Sequence, residues 1–166
     1  MAIKLHVNGG FTVLELLVVV TLMTIMLSLA VPSFTSFIDQ QRVNQQVKDF
    51  RAAASLARSE AVKRKSKVYL QAEGGNWSNG WLVTLDDDDT FSSCGSCLAI
   101  FQSSGAFSAV ESASVVGFYF NQSGRPSESG VEVTFCDQPA SSRVKKQVLR
   151  IKPSGTTSVE KEGSCL

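Results

Sequence analysis

Hydrophobic and polar positions along the chain fall into three regimes. From Phe11 to Val31 the sequence FTVLELLVVVTLMTIMLSLAV is apolar on every side of a helix and carries one charge, Glu15. At about 1.5 Å rise per residue this stretch reaches about 31 Å, close to a bilayer's hydrocarbon core, whereas the uninterrupted part from Leu16 reaches about 24 Å. From Ser33 the pattern becomes amphipathic. Val43, Val47, Phe50, Ala54, Ala57 and Ala61 recur at steps of four, three, four, three and four, which predicts a helix continuing to about Val62 whose apolar stripe covers a sheet. Pro32 interrupts this run, where a proline kinks a helix or loosens its backbone pairing, and no other follows until Pro126. After Lys67 the period switches to two. Val68 to Leu70, Gly80 to Leu85, Leu98 to Phe101, Val115 to Phe120, Val131 to Phe135 and Val148 to Ile151 read as short antiparallel strands. Gly74-Gly75-Asn76, Asn79-Gly80, Ser104-Gly105, Ser123-Gly124-Arg125-Pro126 and Pro153-Ser154-Gly155 supply the turns. The predicted fold class is α+β, one long N-terminal helix packed on an antiparallel β-sheet head.

A length of 166 residues, 43% hydrophobic and 19% charged, suits one globular domain. The net charge of +1 does not mark the whole chain as a nucleic-acid binder, but the charge is uneven. Between Asp39 and Lys67 eight Lys or Arg stand against three acids, a local +5, and the remainder from Val68 is −4. Lys63-Arg64-Lys65-x-Lys67 is either a phosphate-binding patch or a basic helix end complementing the macrodipole, and the second reading is preferred. The only histidine, His6, precedes the apolar run. Without the segment that holds it, no Ser-His-Asp triad, Cys-His pair or histidine metal site can form. The chain is therefore read as not an enzyme, with no cofactor and no resident metal.

Two ordinary readings of the N-terminus fail on position and charge. A cleaved secretory signal places its small residues after the apolar stretch, whereas Gly9-Gly10 stands before it. A plain membrane anchor does not explain Glu15, which costs roughly 2.5–3.5 kcal/mol at a bilayer centre unless it has a cationic partner. Gly10-Phe11-Thr12-Val13-Leu14-Glu15 closely resembles the class III signal of type IV pilins and of the pseudopilins of type II secretion. The resemblance implies that a prepilin peptidase cuts between Gly10 and Phe11 and methylates the new N-terminal Phe11. It also implies that Glu15 pairs with a free N-terminal amine while subunits move from the membrane into a filament. The leader departs from the family pattern in carrying Lys4 and His6 followed by Val7-Asn8-Gly9, without a cation beside the cut.

The stretch from Phe50 to Val62 contains Ala57-Arg58-Ser59-Glu60-Ala61 and resembles the "L-x-x-A-R-S-E-A" helix end of the GspH, FimT and FimU subfamily. Trp77-Ser78-Asn79-Gly80-Trp81 resembles its "W-x-x-G-W" turn. Read physically, that segment is a hairpin turn with aromatic cover, and sugar binding by its tryptophans is improbable. The implied organisation is a leader at 1–10, a transmembrane and filament-core helix at 11–31, its amphipathic half at 32–66 and a β-rich head at 67–166. The implied function is that of a minor pilin that co-assembles at or near the tip of a type IV pilus and helps to initiate its assembly, supporting adhesion, twitching motility or DNA uptake. The alternative is a minor pseudopilin of type II secretion. Implied partners are other minor and major pilins or pseudopilins, the prepilin peptidase, the inner membrane and its assembly platform. The chain would sit in the inner membrane with its head in the periplasm before joining the pilus.

Four cysteines, Cys94, Cys97, Cys136 and Cys165, in a head outside the cytoplasm argue for disulfides. Three connectivities are open, and Cys94–Cys97 with Cys136–Cys165 is preferred to a redox or zinc site. Asp86-Asp87-Asp88-Asp89 lacks the alternation and distal Glu of a calcium loop and reads as a solvated acidic loop. A third function, DNA capture, belongs to some FimT-type relatives through a "G-R-x-R" motif after a strand. The matching segment, Arg150 to Ser158, lacks it. The residues that keep DNA as a candidate partner are Arg125, Arg143, Lys145, Lys146, Arg150 and Lys152.

Overall fold

The computed structural model describes residues 11–103, 107–111, 115–128 and 130–165, with the side chains of 29–33 and 111 excepted. The leader, Gly10 and the Ser104-Gly105 turn lie outside the described residues. One helix, α1 (Val13–Arg64), is followed by β1 (Val68–Ala72), β2 (Gly80–Thr84), β3 (Cys97–Gln102), β4 (Phe107–Glu111), β5 (Gly117–Phe120), β6 (Val131–Asp137), β7 (Lys145–Ile151) and β8 (Thr157–Ser164). The chain divides into a unit ending at Phe37 and a larger one beginning at Ile38.

In the first unit, α1 starts on its own cap. Thr12 Oγ1 accepts the Glu15 backbone N–H at 3.2 Å, satisfying one of the first-turn donors a helix leaves open. Backbone helix continues through Pro32. Every large apolar side chain described between Phe11 and Leu27 is exposed. Among the described residues no helix is long and apolar enough to cross a membrane. The described apolar side chains from Val13 to Ser28 rise about 24 Å, short of a hydrocarbon core of about 30 Å.

In the second unit the stripe lands as the spacing requires: Val43, Val47, Phe50, Ala54, Ala57 and Ala61 are all buried. The strands form two antiparallel sheets of four, ordered β3-β2-β1-β5 and β4-β6-β7-β8. Of the eight strands among the described residues, β4 and β8 lie outside the runs that the periodicity predicts. Burial alternates along β1 and β6, so Val68, Leu70 and Ala72, and Val131, Val133 and Phe135, face inward. Phe50 joins α1 to both sheets. Its ring meets Trp77 at 5.3 Å, Trp81 of β2 at 5.2 Å and Phe135 of β6 at 5.6 Å, all edge to face, the arrangement aromatic quadrupoles favour.

The tryptophan segment corrects a simpler expectation. Asn79-Gly80 is not a two-residue hairpin turn. Trp77–Asn79 is a short 3-10 turn whose start is capped by Asn76, and Gly80 opens β2. Gly80 has φ +119°, and a Cβ there would overlap the Phe101 carbonyl on β3, so the backbones approach too closely for any side chain.

Candidate functional site

Among the described residues three regions carry the side chains with chemistry. The first is the N-terminal turn. Thr12 and Glu15 stand three apart, which places the carboxylate at the positive end of the helix dipole. Phe11 and Val13 are each 83% exposed, so the turn is surrounded by apolar surface with no protein cover among the described residues.

The second region is the end of α1. Glu60 holds Arg64 at 2.6 Å and Lys63 at 3.4 Å, and the Arg64 hydrogen bond keeps its carboxyl below the usual range. Lys67 lies 4.5 Å over the Tyr119 ring. The basic run is thus largely paired within its own surface. Arg58 acts differently: its Nε donates to the Gly124 carbonyl at 3.1 Å, and its stem packs against Gly124 and Gly155. Both glycines have positive φ, and a Cβ on Gly155 would overlap the Gly124 carbonyl. The motif arginine therefore clasps two turns of the head.

The third region is the loop after β2. Cys94 bonds to Cys97 with Cα atoms 5.6 Å apart, and Cys136 bonds to Cys165 at 5.5 Å. Asp89 is not a solvated member of the acidic run. It accepts from the hydroxyls of Ser96 at 2.6 Å and of Thr84, and from the backbone N–H groups of Gly95 at 2.9 Å and Ser96 at 3.2 Å. The Ser96 hydroxyl, with Thr84 and Gly95, lowers its carboxyl from 3.8 to about 2. Asp86, Asp87 and Asp88 are exposed, as expected of a solvated loop.

The candidate phosphate contacts do not converge. Arg150, on β7, donates Nε to Glu132 of β6 at 2.6 Å, Nη1 to Glu160 and Nη2 to Glu162 of β8 at 3.1 Å. These three carboxylates, Glu132 first, raise its already high pKa, and they neutralise it toward any polyanion. Lys146 shares Glu162 at 3.8 Å. Arg125, Arg143, Lys145 and Lys152 make no ion pair among the described residues, but they stand on separate turns and on β7. Cross-strand pairing hid these carboxylates from the sequence, since each partner lies ten or more residues from Arg150.

One long helix whose C-terminal stripe is buried by antiparallel sheets, and whose apolar N-terminal half has no cover among the described residues, is the architecture of a pilin-type subunit. The chain belongs to the family described as type II transport protein GspH, whose model matches residues 46–155. It is 33% identical over 92 residues to the type IV narrow pilus major component PilA5 of Thermus thermophilus, covering 51% of this chain and 77% of that protein. Its fold is similar to the type IV minor pilin FimU of Pseudomonas aeruginosa, with TM-score 0.64 and 19% identity over 78% of this chain and 99% of that one. The minor pseudopilin EpsH of the Vibrio cholerae type 2 secretion system matches with TM-score 0.55 and 7% identity, covering 72% and 97%.

Proposed function

We propose that this chain is a minor subunit that joins a type IV pilus at or near its tip and helps to initiate assembly, and that it thereby supports adhesion, twitching motility or DNA uptake. The observation that carries this reading is the uncovered apolar half of α1, exposed on all sides from Phe11 to Leu27. A helix apolar all round requires lipid or other helices as its solvent, and a filament core supplies the second after a membrane supplies the first. In this reading the peptidase cuts the Gly10–Phe11 bond, Phe11 is methylated, and Glu15 pairs with the free amine of a neighbouring subunit. The inner membrane and assembly platform then hand the subunit to other pilins.

The experiment is a count of surface pili by electron microscopy in a strain lacking the chain, restored with the wild-type copy or with Glu15→Ala. Loss of pili, recovered by the first and not by the second, supports the reading. Normal pili in the deletion strain overturn it. The family description favours a second reading, a minor pseudopilin of type II secretion, in which the deletion leaves pili intact and abolishes export of secreted proteins. DNA capture, with Arg125, Arg143, Lys145 and Lys152 as contacts, is the third and has the weakest geometry, because Arg150 and Lys146 are occupied.

A further inference from the structure

Two cavities adjoin along the flank of α1 in the head. One, of about 240 Å³, is formed by Arg51, Ser55 and Arg58 against the Gly155–Thr157 turn. The other, of about 280 Å³, lies where Lys48 and Arg51 face Gln147 and Lys161. Arg51 lines both, so they make one groove. No Asp or Glu lines either cavity. None of Lys48, Arg51, Arg58 and Lys161 has a carboxylate within ion-pair distance among the described residues. The acids that flank Lys161 on β8, Glu160 and Glu162, are committed to Arg150 and Lys146. Alternation along the strand sends them to the opposite face.

Arg58 is the built part of this groove. It is half-buried, its Nε is fixed by the Gly124 carbonyl, and its two Nη atoms have no hydrogen-bond partner among the described residues. A guanidinium held in place with its fork unused is preorganised for an oxyanion. We propose that the groove binds adjacent phosphate groups, one between Arg51, Arg58 and the hydroxyls of Ser55, Thr156 and Thr157, and the next between Arg51, Lys48 and Lys161. Three features favour phosphate over an acidic peptide. Two guanidinium side chains and three hydroxyl side chains line one space, a set that offers a tetrahedral anion more donors than a carboxylate can use, with the Thr156 hydroxyl also paired to Ser154. Only Val47 and Val159 line the groove as apolar groups that could receive a side chain. The cations from Lys48 to Arg58 span about 15 Å of helix, room for a short row of phosphates. No aromatic ring lines either cavity, so bases would not be stacked or read. The phosphates can come from condensed inorganic phosphate or from a phosphodiester strand.

The test is titration of the full chain, in non-ionic detergent at low salt, with tripolyphosphate by calorimetry and with a labelled ten-residue oligothymidylate by anisotropy. Saturable binding that weakens at least tenfold in Arg51→Glu and several-fold in Lys161→Gln, while Arg143→Gln changes nothing, supports the groove. All three altered residues are exposed, and tryptophan fluorescence checks that the variants fold. Tripolyphosphate binding without oligonucleotide binding assigns condensed phosphate as the source; oligonucleotide binding displaced by tripolyphosphate assigns a phosphodiester strand, with a log K against log salt slope of about −2 to −3. Absence of saturable binding, equal binding in Arg51→Glu, or a polyaspartate peptide binding as tightly as tripolyphosphate overturns the proposal. None of these outcomes depends on the pilus count.

Discussion

Arg58 on the helix donates its Nε hydrogen to the carbonyl of Gly124, 66 positions further along the chain, at 3.1 Å. The same side chain packs against Gly155, so one residue of α1 holds the turn before β6 and the turn between β7 and β8. Gly155→Ala should therefore be costly, since its φ of +79° and its close approach to the Gly124 carbonyl both exclude a Cβ. A loss of about 2 kcal/mol or more in chemical denaturation, followed by tryptophan fluorescence, is expected. Gly130→Ala, where φ is also positive but no atom lies within 4 Å, should cost less.

Asp89 is expected to contribute an acid-side pH dependence to the head. Its folded carboxyl is lowered to about 2 from an ordinary 3.8 by the Ser96 and Thr84 hydroxyls and the Gly95 N–H. A depressed folded pKa means that its stabilisation is fully present above about pH 4 and is lost as pH falls toward 2. Denaturation midpoints of the wild type should fall across that window. Asp89→Asn should be less stable at pH 7 and flatter between pH 4 and 2; equal slopes would show that Asp89 does not bear this dependence.

The two disulfides should differ in weight. Cys136–Cys165 closes a sequence separation of 29 and ties the end of β8 to β6, whereas Cys94–Cys97 closes only three. The chain-entropy relation gives roughly 3–4 kcal/mol for the long loop and about 2 for the short one. Cys136→Ser with Cys165→Ser should lower stability more than Cys94→Ser with Cys97→Ser when each is unfolded in denaturant.

Two indoles of one motif should respond differently to phenylalanine. Trp77 Nε1 donates to the Val115 carbonyl at 2.8 Å, whereas Trp81 Nε1 is buried without an acceptor among the described residues. Trp77→Phe removes that hydrogen bond, an expected cost of about 0.5–1.5 kcal/mol, whereas Trp81→Phe removes an orphaned donor whose burial is itself unfavourable. Stability curves of the two variants should therefore separate, with Trp77→Phe the weaker protein. The reverse order would mean that the volume lost beneath Phe50 outweighs the hydrogen bond.

The sequence by itself determined the elements whose signal is local. The stripe from Val43 to Ala61 is a property of one helix, and it lies buried as its spacing demands. Period-two runs of β-branched and aromatic residues marked β1, β2, β3, β5, β6 and β7; burial alternates along β1, β5 and β6, where one face lies in the core, whereas β2 is buried throughout. Two strands escaped. β8 reads TSVEKEGS and carries three charges in eight residues, as suits an edge strand whose pairing is backbone to backbone, and β4 follows a serine-rich stretch with only Phe107 and Ala109 buried among its described side chains. Only the tertiary structure decided which charges remain unpaired. Arg150, the centre of the basic C-terminal stretch, is surrounded by carboxylates from two neighbouring strands, whereas Arg51, Arg58 and Lys161, from distant segments, meet in a groove free of acid. Coulomb interactions act through space over a few ångströms, and sequence order carries that information only after the sheets have set their register.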